Sequence, residues 1–146
     1  MTSAQSHFPG SIPDIIEMQK KGRAVGLFSV CSANLFVLSA AMNKAQQNGS
    51  LLLIESTANQ VNQFGGYIGL TPAQFQESIR DLQRRYQLAP NHVILGGDHL
   101  GPTVWQNEPA ESAMQKSVQL VAEYVRAGFT KIHLDASMPL GDDPAG

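Results

Sequence analysis

The chain has 146 residues, 42% hydrophobic and 15% charged, and ten Lys and Arg against twelve Asp and Glu leave a net charge of −2. This is a soluble globular composition, and no run of like charge marks a nucleic-acid footprint or a polybasic membrane patch. The single cysteine, Cys31, allows no intramolecular disulfide, and neither a basic-apolar leader nor an apolar run of bilayer length occurs, so a cytoplasmic setting is expected.

In chain order, residues 1–10 read as a disordered tail. Ser11-Ile12-Pro13-Asp14 then supplies a cap, an early proline and an acid for a helix reaching about Lys21. Residues 24–30 form a short apolar run that predicts a buried strand. Residues 34–48 follow with helical spacing in Leu35, Leu38, Met42 and Ala45 and stop at Gly49. Asn48-Gly49-Ser50 matches a glycosylation sequon but reads as a turn. Leu51-Leu52-Leu53-Ile54, apolar without alternation, predicts a strand covered on both faces.

A loop rich in Asn, Gln and Gly (59–69) leads to Thr71-Pro72-Ala73-Gln74, a capping box with a proline at the first helical position. That helix should end near Tyr86, with Phe75, Ile79 and Leu82 inward. Val93-Ile94-Leu95 is the third strand, halting at Gly96-Gly97-Asp98-His99. Residues 111–127 predict a helix burying Met114, Val118, Val121 and Val125, and residues 131–135 a fourth strand.

This alternation predicts an α/β fold with a parallel sheet and right-handed crossovers. Strand starts near 24, 51, 92 and 131 space the units by about 36 residues, so eight would fill a (β/α)₈ barrel of roughly 250 residues or more and four would make half of one. An open doubly wound sheet competes at this length. No glycine fingerprint follows a strand, and Gly65-Gly66-Tyr67-Ile68-Gly69 fits neither a dinucleotide nor a Walker loop, which disfavours nucleotide binding.

Chemistry in parallel α/β folds gathers at the carboxyl ends of the strands. Those ends carry Ser29 and Cys31, Glu55 and Ser56, Asp98 and His99, and Asp135 with Ser137. Two glycines before Asp98-His99 suggest close backbone approach, and an Asp beside a His offers acid–base or metal-binding groups. For any one of these acids, capping a loop is about as good an explanation, and His133, two residues before Asp135, reads equally as a core histidine. His92 lies at the opposite end of the third strand, and His7 in the tail. Cys31 is more often a packed residue than a nucleophile. Asn59, Gln60, Asn62 and Gln63 carry amides able to bind sugar hydroxyls, and Trp105 could stack on a sugar, although water-facing loops and simple packing explain both as well.

Val30-Cys31-Ser32-Ala33, Asn59 to Tyr67, Ile94 to Pro102 with Trp105-Gln106-Asn107, and Lys131-Ile132-His133-Leu134-Asp135 together resemble the accessory Z subunit of class II D-tagatose-1,6-bisphosphate aldolase, from about Ile15 to Asp143. The resemblance implies the N-terminal half of a TIM (β/α)₈ barrel, truncated after strand four. It implies a non-catalytic role supporting the activity and stability of a separate catalytic Y subunit in galactitol or N-acetylgalactosamine catabolism. Asp98 matches a catalytic Asp and His99 the adjacent zinc ligand, while no second and third His ligand is evident at a strand end. The alternative is a divalent-metal ketose 4-epimerase or aldolase in which Glu55 and Asp135 join Asp98 in acid–base work. A ketose phosphate or ketohexose is the expected ligand, and Asn59, Gln60, Gln63 and Trp105 its candidate contacts. Unpaired apolar edges on strands one and four predict self-association.

Overall fold

Each helix begins where the sequence supplies a partner for its free amides. The computed structural model describes residues 10–144, so the expected tail, with His7, lies outside them except for Gly10. Ser11 Oγ accepts from the Asp14 amide at the start of α1 (Ile12–Lys20). Asn34 Oδ1 takes the amides of Phe36 and Val37 at the start of α2 (Leu35–Asn48), and Gly49 ends it at φ 62°, the left-handed geometry glycine adopts without strain. Thr71 and Gln74 form the expected capping box on α3 (Pro72–Arg85). The fourth helix, α4 (Ala110–Arg126), is capped from far along the chain: Asp142 Oδ1 accepts from the Ala110 amide at 2.6 Å.

The strands are β1 (Ser29–Cys31), β2 (Leu52–Thr57), β3 (Val93–Leu100) and β4 (Lys131–Leu134), all parallel and in the spatial order β1-β2-β3-β4. A doubly wound sheet must reverse its strand order at a switch point. Strictly sequential order is instead the arrangement of half a (β/α)₈ barrel. β1 is shorter than the run 24–30 predicts, because residues 24–28 take no ladder position.

Leu52 and Ile54 of β2 and Leu95 and Leu100 of β3 pack against Leu38, Met42 and Ala45 of α2, Phe75, Ile79 and Leu82 of α3, and Leu120 and Tyr124 of α4. The predicted inward face of α3 is thus the observed one. For α4 the expectation is corrected. The buried stripe is Ala113, Ser117, Leu120 and Tyr124, while Met114, Val118 and Val125 are exposed. The two stripes have the same helical spacing and differ by one residue, a turn of about 100°. The buried one contains Ala and Ser, which permit close approach to the sheet, and a Tyr whose hydroxyl finds partners beneath. Leu35 is likewise exposed at the other flank, beside Phe36.

Candidate metal centre at the strand ends

The parallel register places Cys31, Glu55, Gly96 and Lys131 side by side across the four strands. Gly96 is the gap in this row. A Cβ there would come within 2.8 Å of the Glu55 carboxylate, which lies over the glycine and forms an ion pair with Lys131 on β4. Glu55 is buried, 5% exposed. Its carboxylate therefore lies covered beneath the rim and does not face open solvent.

One step toward the rim, Thr57 pairs with Asp98, and the β3–β4 register then shifts between Gly97 and Leu100. His99 sits within that irregularity at φ 49°, a left-handed conformation uncommon for a side chain of this size. In a regular strand two consecutive residues face opposite sides. Here His99 Nε2 lies 3.9 Å from Asp98 Oδ2, so both reach the same rim. Gly101 completes the arrangement, since a Cβ there would meet the Asp135 carbonyl oxygen at 1.6 Å. The chain after β4 can thus lie close, with the Asp135 amide bonded to the Leu100 carbonyl.

Asp135 Oδ2 is 2.8 Å from His99 Nδ1, and Asp98 Oδ1 is 2.9 Å from His133 Nδ1. The two imidazole rings are tilted against each other with centroids 4.6 Å apart. Of the two readings open for His133, the exposed rim position is the observed one, and it brings a second imidazole beside His99. Burial acts to raise the Asp98 carboxyl, but the His133 hydrogen bond and the nearby His99 and Lys131 charges prevail and hold it below the usual range. Hydrogen bonds from Ser137 and His99 keep Asp135 well below it too. The Asp135 hydrogen bond, then the Asp98 charge, raises His99. Desolvation, and then the Asp98 carboxylate, pushes the Cys31 thiol up to about 11, so it is a poor nucleophile at neutral pH. The Cys31 Sγ lies 3.6 Å from Asp98 Oδ2.

Because ionised carboxylates only accept, the Nδ1 atoms of His99 and His133 carry their hydrogens toward Asp135 and Asp98, which leaves each Nε2 for a ligand. Asp98, His99 and His133 each offer one ligand atom, all within 4.8 Å of one another. Donors bound at ~2.1 Å in a tetrahedron are roughly 3.4 Å apart, so the three residues suit a divalent ion after a modest side-chain adjustment.

The expected sugar contacts are distributed differently. Gln60 Oε1 accepts from the Thr57 amide, Gln63 Nε2 donates to the Lys116 carbonyl, and buried Asn62 takes the amides of Phe64 and Gly66. These amides build the 59–69 loop. Asn59 is exposed, and Trp105 is half-buried with Phe64 edge-on at 6.2 Å and Lys116 over its ring. Lys131, which belongs to the fourth-strand motif but was given no role, is the site residue missed by sequence reasoning. Its signal was a lysine opening a predicted strand, which gains meaning only once the register is known.

The family model described as D-tagatose-1,6-bisphosphate aldolase subunit GatZ/KbaZ-like matches residues 12–146. The chain belongs to this family. Among its relatives, the GatZ subunit of Salmonella gallinarum is 51% identical over 131 residues, covering 90% of this chain and 31% of the relative. That of Escherichia coli O139:H28 is 53% identical over 130 residues, 89% of this chain and 31% of the relative. A solved structure from Sinorhizobium meliloti 1021, described as a probable tagatose 6 phosphate kinase, is similar at 44% identity and a TM-score of 0.79, over 82% of this chain and 31% of that one. This GatZ/KbaZ-like chain thus spans about a third of the length of the proteins it matches.

Proposed function

We propose that the chain is the strand-one-to-four portion of an accessory subunit of D-tagatose-1,6-bisphosphate aldolase, and that it supports the activity and stability of a separate catalytic subunit. What carries this reading is half-identity to GatZ subunits over nine-tenths of the chain. The setting is cytoplasmic sugar catabolism, of galactitol or N-acetylgalactosamine. Among the described residues, no helix is long and apolar enough to cross a membrane. Kinase chemistry has no comparable support. The loop amides of Gly65 and Gly66 bond to Asn62, so they form no cradle for phosphate.

In this reading Asp98, His99 and His133 hold a divalent ion, zinc being the expected one, and a ketose or ketose phosphate lies over the strand ends. When bound, such an ion polarises a carbonyl or hydroxyl oxygen as a Lewis acid. Asp135 fixes the His99 ring and tautomer. Asp98, kept ionised, would present Oδ2 to that ion, and Asn59 and Trp105 are the outlying contacts for a sugar. Co-expression with a cognate catalytic subunit tests the main claim. That subunit's activity or half-life should rise, and no change in either would overturn the assignment.

A further inference from the structure

Lys131 on β4 faces two carboxylates carried by the neighbouring strands β2 and β3. Its Nζ pairs with buried Glu55, reached across the side-chain gap at Gly96, and lies 3.6 Å from Asp98 Oδ1. The same Oδ1 accepts the hydrogen bond of His133 Nδ1 at 2.9 Å. Oδ2 faces the other way, toward the Cys31 thiol at 3.6 Å and His99 Nε2 at 3.9 Å. One oxygen of Asp98 is thus engaged by β4 and the other is turned to the ligand side.

We propose that Lys131 is a positioning residue: anchored by Glu55, it fixes the Asp98 carboxylate so that Oδ1 orients His133 and Oδ2 remains for the bound ion or substrate. Glu55 is then the anchor of Lys131 and takes no part in acid–base chemistry. The anchor needs a partner because a buried carboxylate without a counter-charge is strongly disfavoured. Gly96 is required because neighbouring strands are about 4.8 Å apart, so Glu55 and Lys131, two strands from each other, meet only over a residue lacking a side chain. The role rests on the reading of Asp98, His99 and His133 as a ligand-binding cluster, but the orientation of His133 can be observed without any ligand.

The test uses a Glu55→Gln/Lys131→Met double variant, which removes the ion pair at constant net charge and leaves no lone buried carboxylate, with Lys131→Arg as the conservative control. In metal-free protein at pH 8, long-range proton–nitrogen NMR should show His133 with its hydrogen on Nδ1 in the parent and in Lys131→Arg. The double variant should show a mixture of tautomers. Cobalt(II) titration, followed by visible absorption and calorimetry, should show affinity falling about 10- to 100-fold in the double variant, the usual effect of removing an outer-shell partner. An unchanged tautomer with cobalt affinity within twofold of the parent overturns the role. A tautomer change in a protein whose parent binds no cobalt supports the positioning role and overturns the metal reading alone. Should the double variant fail to fold by circular dichroism, Lys131→Gln keeps a donor for Glu55 but is too short for Asp98, and the same two readouts apply.

Discussion

At Gly96 a missing side chain leaves the space through which Glu55 reaches Lys131, and this gives the residue an energetic signature. Gly96→Ala places a methyl group 2.8 Å from the Glu55 carboxylate. Overpacking of this kind costs about 1–3 kcal/mol, to be read as a lower urea midpoint with an unchanged m-value. His99 and Asp135 offer a second residue-scale measurement. The raised His99 value means its contribution is complete below the ordinary histidine value of 6.5 and is lost as pH rises through the folded value above it. The depressed Asp135 value means its contribution is present above 3.8 and is lost as pH falls through the folded value. The pair is therefore fully engaged between about pH 3.8 and 6.5. An NMR titration of His99 should give a midpoint above 6.5 that returns toward it in Asp135→Asn.

Element by element, the parts legible in the sequence were those with local causes. The caps at Ser11 and Thr71, the stop at Gly49 and the inward face of α3 all depend on residues within a few positions of each other. What was not legible depends on distant partners. The Ala110 amide is capped by Asp142, and α4 buries the stripe containing Tyr124 because the Tyr124 hydroxyl reaches Ser56 Oγ at 3.0 Å and donates to the Val61 carbonyl at 2.9 Å. Asp98 and His99 were visible as strand-end groups, but the left-handed turn at His99 and the register shift that unite them with His133 carry no sequence mark other than the surrounding glycines. Tyr124→Phe keeps the ring and removes the hydroxyl. It should lower stability by about 1–3 kcal/mol, since the Val61 carbonyl loses its donor in a buried setting. Hydrogen exchange should quicken in the 59–69 loop before it does in α4.

For the whole molecule, the informative surfaces are the two flanks of the sheet. Phe28, Leu35, Phe36 and Val37 are exposed on the β1 side, and Met114, Val118, Val125, Leu134 and Met138 on the β4 side. A surface this apolar along two open strand edges promotes association. The 146-residue chain alone should sediment as dimers or larger species, and Val118→Glu with Phe36→Glu should shift it toward monomer. A monomeric parent with slowly exchanging amides on both β1 and β4 would contradict this.

The contact over Gly96 also says something about the order in which the protein assembles. Glu55 and Lys131 lie far apart in the chain, and β3 has to be seated between β2 and β4 before their side chains can meet, so the ion pair belongs among the last contacts to close. Interactions absent from the transition state govern how fast a protein comes apart more than how fast it forms. The bridge beneath the rim is thus expected to act as a latch: the Glu55→Gln/Lys131→Met variant should unfold faster than the parent in stopped-flow kinetics while refolding at nearly the parent's rate.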